Sequence, residues 1–222
     1  MDPSETRTRL QELLRATGLT PLDEETASRF ESYLSLFIRW NERLNLSAIR
    51  DEESIMSRHV VESMAVVNEL PQGISTLLDF GSGAGLPGIP IALCRPEIAV
   101  TLAESQGKKA AFLQEAVRVL GIQAKVHAER AEVLRTVFDC VVLRAVDRMP
   151  KAVAAAVPLV APAGWLALMT TTSEIEGLKR AAGAEFSWPT EKQLPGGAHR
   201  IVAFGSRRDL RPGSTESESK PR

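Results

Sequence analysis

The residues best suited to chemistry lie in one glycine-rich stretch, Leu77-Leu78-Asp79-Phe80-Gly81-Ser82-Gly83-Ala84-Gly85-Leu86-Pro87-Gly88. The apolar run Thr76–Phe80 predicts a strand before the glycines, and Ile89–Leu93 predicts a helix after them. Glycines at such a turn permit tight backbone angles and a close approach of main-chain N–H groups to a ligand. The helix N-terminus adds partial positive charge. The stretch therefore predicts a site for a nucleotide-derived cofactor.

Two kinds of cofactor fit the glycine spacing. Gly83, Gly85 and Gly88 satisfy the dinucleotide pattern, and Glu104 follows Gly85 at about 20 residues, where a carboxylate can bind ribose hydroxyls of NAD or S-adenosylmethionine. Asp79 before the Gly-x-Gly-x-Gly run is instead typical of the first motif of Rossmann-like methyltransferases. A helical region before the sheet also favours a methyltransferase. A dinucleotide-dependent oxidoreductase stays as the alternative.

Composition excludes several other classes. The chain has 222 residues, 44% hydrophobic and 25% charged, with a formal net charge of −1, which suits one soluble domain without a large basic excess. It has no apolar run near the roughly 20 residues of a membrane span and no apolar signal-peptide core, so we expect a cytoplasmic protein. Cys94 and Cys140 lie in apolar runs, and His127 and His199 lack partners at metal-ligand spacing. We therefore expect neither a disulfide nor a metal site.

The first 70 residues predict helices. Ser4 is a candidate cap for the first helix and Asp23 for the second, whose aromatic residues recur at helical spacing. The segment Asn41–Arg50 predicts a loop or short turn, and Asp51 or Ser54 is a candidate start for a third helix.

Short apolar runs alternate with helical patterns from Thr76 onward. This alternation predicts an α/β fold with a largely parallel, doubly wound Rossmann-like sheet and helices on both faces. We divide the chain into an N-terminal helical region at 1–72, packed on the core, a cofactor-binding domain at 73–206 and a disordered tail at 207–222. The expected strands are Thr76–Phe80, Ala99–Ala103, Ala124–Ala128, Phe138–Leu143, Gly164–Thr170 and Arg200–Phe204, and the stretches between the first four are Leu86–Cys94, Lys108–Gly121 and Glu129–Leu134, two of them helical in pattern.

Several motifs in order resemble one bacterial family, the small-subunit ribosomal RNA methyltransferase G family, also called glucose-inhibited division protein B. The resemblance covers about residues 10–205, and the run from Leu86 to Pro90 after the glycine loop is its most specific part. The motifs are Trp40–Asp51, Arg58–Ser63, Gly81–Pro90, Glu104–Lys109, Arg130–Glu132 and Phe138–Asp139 through Arg144–Ala145.

The resemblance implies a class I methyltransferase that moves a methyl group from S-adenosylmethionine to N7 of a guanosine in 16S ribosomal RNA, near the decoding region. It also implies a role for each matching residue. Gly81 and Leu86 would line the cofactor loop, Gly83 and Gly85 would form its turn, Glu104 would hold the ribose, and Ala131 and Glu132 would meet the adenine edge. Arg144 would stand beside the transferring methyl, and Arg130, His59 and Asn45 are the further residues expected near the guanine or the RNA. From the residues alone, three alternatives stay open: Arg130 as a surface charge, His59 as a partly buried structural histidine and Asn45 as the cap of a turn.

The sequence after the fourth strand agrees with this implied chemistry. Guanine N7 has a lone pair and no proton, so its methylation needs alignment rather than a general base. Leu143–Asp147 lacks the Asn/Asp-Pro-Pro-aromatic motif that often serves methylation of exocyclic amines. Two positions depart from the family: Met169-Thr170 stands where many members have a lysine, and Glu62 where aspartate is frequent.

The departure at Met169 leaves room for a second alternative, a non-catalytic ribosome-assembly or RNA-binding protein that retains the cofactor fold. For the methyltransferase, the expected partner is 16S rRNA or the small ribosomal subunit, and we expect a monomer. Cations for RNA would come from arginines before and after the sheet, which could also be solvated surface charges; a phosphate-binding role for the C-terminal tail is less favoured. These arginines are Arg39, Arg43, Arg50, Arg58, Arg200, Arg207 and Arg208.

Overall fold

The structure is a computed structural model, and it describes residues 3–197 and 199–208. Most of the tail that the sequence predicts to be disordered therefore lies outside the described residues. Arg207 does not belong to that tail, because it is the last residue of a strand.

The N-terminal region consists of helices α1 (Pro3–Ala16), α2 (Glu24–Leu44), α3 (Glu52–Ile55) and α4 (Val61–Glu69), with a π-helical turn at Met56–Val60 joining the last two. The expected caps are confirmed at the second and third helices, since the Asp23 and Asp51 side chains accept hydrogen bonds from N–H groups of the first turn. The expected Ser4 cap is wrong because α1 has already begun at that residue.

The expected loop at Asn41–Arg50 is wrong in its first four residues. Helix α2 continues to Leu44 and ends at Asn45, which adopts a left-handed conformation with φ 51° and donates its N–H to the Asn41 carbonyl. Asparagine tolerates this conformation better than most residues. The irregular segment is therefore shorter than predicted and starts at Asn45.

Seven strands form one sheet in the order β3-β2-β1-β4-β5-β7-β6. Strands β1 to β5 run parallel, whereas β7 is antiparallel to both β5 and β6. The strands are β1 (Thr76–Phe80), β2 (Ala99–Ala103), β3 (Ala124–His127), β4 (Phe138–Arg144), β5 (Val160–Thr171), β6 (Phe186–Gln193) and β7 (Arg200–Arg207); the remaining helices are α5 (Gly88–Cys94), α6 (Gly107–Leu120), α7 (Met149–Ala156) and α8 (Ile175–Ala182).

The sequence predicted the strands of the parallel part well and the far edge poorly. β6 was not expected, since its residues alternate between partly buried and exposed positions and include Pro189. The stretch Glu129–Leu134 contains only a short 3₁₀ turn at Ala131–Val133. β5 and β7 are longer than predicted.

Helices cover both faces of the sheet, which confirms the predicted architecture. Along β4, Cys140 and Val142 contact the N-terminal helices, while Val141 and Leu143 face α7 and α8. Arg144 continues the first of these two series and so points toward α4. None of the helices among the described residues has the long uncharged apolar run that spanning a bilayer requires.

Candidate functional site

A cavity of about 730 Å³ opens where β1, β2 and β4 end at their carboxyl edge. This edge of a doubly wound parallel sheet is the usual place for a ligand, and the volume is in the range of ligand pockets. The walls come from the glycine loop, the segments after β2, β3 and β4, and the π-helical turn. Residues at successive points of the wall are Leu46, Ser47, His59, Gly81, Gly83, Leu86, Glu104, Lys109, Arg130, Ala131, Glu132, Arg144, Arg148 and Lys151.

The glycine loop between β1 and α5 uses two of its glycines differently. Gly83 lies in the cavity wall with φ 57°, and a Cβ there would meet only the Gly81 carbonyl oxygen at 3.9 Å. A side chain at Gly83 would thus be strained and would fill the cavity. At Gly88 a Cβ would come within 2.3 Å of Leu102 and 2.6 Å of Asp79, so this glycine is needed for packing of α5 on the sheet.

Glu104 joins the glycine loop to the start of α6. One carboxylate oxygen accepts a hydrogen bond from the Gly83 N–H at 3.0 Å, and the other accepts one from the Gln106 N–H at 2.7 Å. The side chain is nearly buried and lines the cavity. It therefore caps the following backbone, and it also presents fixed acceptor oxygens to a ligand with vicinal hydroxyls.

Two groups behind the loop hold it in place. The buried Asp79 carboxylate accepts a hydrogen bond from the Gly88 N–H at 3.0 Å, and burial raises the pKa of Asp79 to about 7. On the other side, the Tyr33 hydroxyl of α2 donates to the Ala84 carbonyl at 2.7 Å. Burial raises the pKa of Tyr33, so its hydroxyl stays protonated and remains a donor. The N-terminal helices thereby contact the cofactor loop directly.

The segment after β3 forms the opposite wall. Ala131 is buried, and Glu132 accepts a hydrogen bond from Arg130 at 2.6 Å. Arg130 is 74% exposed at its side chain, so its guanidinium lies at the mouth of the cavity rather than at its base.

Arg144 is buried at the inner end of the cavity, with its side chain only 6% exposed. Its Nη2 lies 2.9 Å from the Glu62 carboxylate, the Arg58 carbonyl and His59 Nδ1, so the two hydrogens of this nitrogen are shared among three acceptors. Glu62 is 1% exposed and also pairs with Arg200 at 2.7 Å. Such a set of partners is what a buried cation requires, because desolvation would otherwise be costly. The guanidinium is therefore fixed in one orientation.

His59 is held in a single neutral tautomer. A guanidinium has only N–H groups, so Nδ1 must accept from Arg144 and the proton must be on Nε2, which donates to Ser47 Oγ at 2.8 Å. Burial and the positive charge of Arg144 lower the pKa of His59 to about 3. With both nitrogens engaged, His59 lines the cavity without a free lone pair for proton transfer.

Asn45 lies outside the cavity wall. Its exposed side chain accepts a hydrogen bond from Arg50. The buried Asn41 influences the site indirectly. Its side-chain amide accepts a hydrogen bond from the Ser47 N–H at 2.8 Å and donates one to the Ile49 carbonyl at 2.9 Å. These two bonds shape the loop that brings Ser47 to the cavity.

Met169 is the residue that the sequence analysis marked as a departure from the family. It is 2% exposed, pairs in register with Arg144 across β4 and β5, and is absent from the residues that line the cavity. A second cation beside Glu62 is Arg200 on β7.

Sequence reasoning missed some residues of the site. Ser47 had no chemical signal of its own, and Tyr33 was assigned only to the apolar face of α2. The basic residues at the rim, Lys109, Arg148 and Lys151, stand on helices or turns where they resemble ordinary surface charges. Only the position of Ser47 inside the Trp40–Asp51 motif could have drawn attention to it.

The residues present fit S-adenosylmethionine. Gly83 leaves open space beside the loop, and both glycines that line the cavity, Gly81 and Gly83, have positive φ values. The two Glu104 carboxylate oxygens are held in place by the Gly83 and Gln106 N–H groups. These residues would hold the methionine part and the ribose, while Ala131 and Glu132 would flank the adenine. When bound, S-adenosylmethionine supplies an electrophilic methyl group.

Comparison with known proteins identifies the family. The family described as GidB, rRNA small subunit methyltransferase G, matches residues 26–200 of the chain. The chain belongs to the rRNA small subunit methyltransferase G family. A member from Xanthomonas oryzae pv. oryzae is 42% identical over 160 residues, covering 71% of this chain and 74% of that protein. Another from Stenotrophomonas maltophilia is 40% identical over 210 residues, covering 91% and 97%.

Solved structures agree on the fold of this methyltransferase G family member. Magnesium protoporphyrin IX methyltransferase from Synechocystis, solved with bound S-adenosylmethionine, has a TM-score of 0.57 at 18% identity and covers 85% of this chain and 99% of that one. A ribosomal protein L11 methylase from Lactobacillus delbrueckii subsp. bulgaricus has a TM-score of 0.56 at 13% identity and covers 71% and 80%. Family membership confirms the predicted methyltransferase and its cofactor, and it rejects the oxidoreductase alternative.

Proposed function

We propose that this protein transfers the methyl group of S-adenosylmethionine to N7 of a guanosine in 16S rRNA, near the decoding region. Membership of the rRNA small subunit methyltransferase G family supports the cofactor and the RNA class. The proposal assigns Glu104 to the ribose and the Arg144 cluster to the inner end of the cavity, beside the reacting base.

The state of His59 is the observation that carries the choice of atom. It is the one imidazole among the described residues that line the cavity, and both of its nitrogens are engaged. Transfer to an exocyclic amine requires removal of a proton, for which this side chain offers no lone pair. Transfer to N7 releases no proton from the base, so alignment of N7 with the methyl carbon is sufficient.

The rim of the cavity suits a ribose-phosphate chain. Lys109, Arg130, Arg148 and Lys151 line its outer part, where their cationic groups can contact phosphates on either side of an inserted base. With a net charge of −1 the chain has no general attraction for RNA, so this local cluster supports binding at the cavity. We infer a monomer that works in the cytoplasm on 16S rRNA or on the small ribosomal subunit.

The test uses the full chain, labelled S-adenosylmethionine, and 16S RNA or 30S particles from a strain that lacks this protein. The product is mapped by cleavage chemistry specific for N7-methylguanosine. We expect one modified guanosine near the decoding region. Lys109→Ala and Lys151→Ala should lower the apparent affinity for RNA and weaken its salt dependence, with little change in cofactor affinity.

Three outcomes contradict the proposal in different ways. Methylation at an exocyclic amine would refute the choice of atom and the inference from His59. Cofactor binding without transfer to either substrate would favour the non-catalytic RNA-binding alternative. Transfer to an unrelated acceptor would refute the RNA class.

A further inference from the structure

The Ser47 hydroxyl has one hydrogen for which the described residues provide no acceptor. Ser47 is half-buried in the loop after α2 and lines the cavity. Asn41 fixes the backbone of this loop through its two bonds to Ser47 N–H and the Ile49 carbonyl. The oxygen of Ser47 is therefore held at one place in the wall.

At Ser47 Oγ both acceptor positions are occupied and only the donor hydrogen remains available. A serine hydroxyl has two acceptor positions and one donor hydrogen. The His59 Nε2–H donates to Ser47 Oγ at 2.8 Å, and the Ile49 N–H donates to it at 3.1 Å. Both acceptor positions are thus occupied. No residue in the described ranges 3–197 and 199–208 accepts the remaining hydrogen.

Arg144 and His59 determine in which direction the Ser47 hydroxyl donates its hydrogen. Glu62 and the Arg58 and His59 carbonyls orient Arg144, and Arg144 imposes the tautomer of His59. Since His59 can only donate through Nε2, Ser47 can only donate onward. The cavity therefore has a fixed neutral donor in its wall, and a ligand atom that meets it must be an acceptor.

Guanine and adenine differ at the atom next to N7. Guanine has the acceptor O6 there, whereas adenine has the N6 amino group, which is a donor. We propose that Ser47 Oγ–H donates a hydrogen bond to O6 of the target guanine and so makes the cavity select guanine over adenine. This inference rests on the proposed N7 methylation. A donor facing an amino group would leave both polar groups unpaired, which is the arrangement that discriminates most strongly between similar ligands.

The test combines Ser47→Ala with a base that lacks O6. 16S RNA carrying 2-aminopurine at the mapped guanosine keeps N7 and the 2-amino group, and it is assembled into 30S particles beside unmodified ones. For the wild type we expect kcat/KM to be about 10- to 100-fold lower on 2-aminopurine than on guanosine, because the Ser47 hydroxyl loses its acceptor. Because 2-aminopurine also lacks the N1–H of guanine, S47A should lower kcat/KM on guanosine by no more than this factor, and it should cause no further loss on 2-aminopurine. Ser47→Thr keeps the hydroxyl and should restore most of the activity.

Matched measurements separate recognition from folding. Calorimetry with S-adenosylmethionine should give the same affinity for wild type and S47A, and Ser32→Ala, which removes an exposed hydroxyl from α2, should leave all parameters unchanged. The losses from S47A and from 2-aminopurine would multiply if Ser47 acted only on the shape of the site, and that result overturns the inference.

If S47A fails to fold, equal wild-type rates on guanosine and 2-aminopurine still refute the inference. If the wild type methylates guanosine N7 and S47A does so equally well, the inference about Ser47 is refuted and the proposed function is not. A wild type that methylates no guanosine refutes the proposed function as well.

Discussion

The Tyr33 hydroxyl is the contact by which the N-terminal helices act on the cofactor loop, and Tyr33→Phe removes it with minimal other change. The phenyl ring keeps its edge-on contact with Phe37, at 6.1 Å between ring centroids. What is lost is the 2.7 Å hydrogen bond to the Ala84 carbonyl. This tyrosine is the only one in the sequence, so the substitution also removes the tyrosine signal completely.

The expected magnitude follows from the burial of the carbonyl left behind. Ala84 and Tyr33 are both buried, and no other described group donates to the Ala84 oxygen. An acceptor left without a partner costs about 1–3 kcal/mol. If the loop keeps its position, this cost lowers the free energy of unfolding, and the melting temperature falls by about 2–4 °C for each kcal/mol at this chain length.

Part of the cost should instead reduce cofactor affinity. A carbonyl without its donor can turn toward water, and the glycine loop then shifts in the apo protein. S-adenosylmethionine must bring the loop back, so its dissociation constant should rise by roughly 5- to 30-fold for one to two kcal/mol. Titration calorimetry measures this constant, and kcat at saturating cofactor should change little, since Tyr33 does not line the cavity.

A matched control is Thr6→Val. Thr6 is also buried, and its hydroxyl donates to Glu52 at 2.7 Å between α1 and α3. Removing it should lower the melting temperature without altering cofactor affinity. If Tyr33→Phe behaves in the same way, with a dissociation constant within twofold of the wild type, the idea that α2 positions the loop is refuted.

Three further predictions concern charge and space in the site. Glu62→Ala leaves two arginines without their buried partner and should destabilise the protein by about 3 kcal/mol or more in denaturant titrations, whereas an unchanged midpoint would show that the pairs contribute nothing. His59 should lower the free energy of unfolding of the wild type by about 1–2 kcal/mol between pH 7.5 and 5 relative to His59→Gln, because the unfolded imidazole takes up a proton near its ordinary pKa of 6.5 and the folded one only near 3. The buried Asp79, whose pKa is raised to about 7, acts in the opposite direction in both proteins, so the difference between the two pH profiles is the quantity to measure. His199→Gln, at an exposed site, should follow the wild-type profile, and parallel profiles for the wild type and His59→Gln would refute the prediction. Gly83→Asp should abolish cofactor binding in calorimetry while the protein stays folded. Gly88→Ala should mainly lower the free energy of unfolding, because its Cβ would clash with Leu102 and Asp79. An unchanged cofactor affinity in Gly83→Asp would refute the assignment of the loop to the cofactor.

The parallel part of the fold was predictable because burial on both sides makes strands such as Thr76–Phe80 continuous apolar runs. The edge strand Phe186–Gln193 was not, since it lacks such a run and pairs only with β7. Its pairing depends on the tertiary structure and leaves little local signal. The end of α2 was misplaced because Asn41–Leu44 are polar enough to suggest a loop, yet they continue an amphipathic helix whose buried side includes Asn41.

Within the site, the residues that belong to a motif of fixed sequence spacing could be predicted. The glycine loop and Glu104 belong to a motif with fixed spacing, and the structure places them in one wall. The partners of Arg144 could not be derived in this way. Arg58 lies in the π-helical turn and Glu62 in α4, while Arg200, which pairs with Glu62, lies in β7. Only the packing of α4 on β4 and β7 brings these residues together. The prediction for Asn45 differs from the structure in one respect, because Ser47, two residues later, lines the cavity and Asn45 does not.

The π-helical turn at Met56–Val60 limits which changes in chain length the family member can tolerate. In this turn the Val61 N–H bonds to the Met56 carbonyl, one residue further back than in an α-helix, and the turn supplies the Arg58 and His59 carbonyls that receive Arg144. Deleting one residue here would convert the wide turn into a regular α-helical turn, and the Arg58 and His59 carbonyls would no longer be presented to Arg144 in the same way. Insertions and deletions in this segment should therefore be rare among active homologues, even where individual side chains vary.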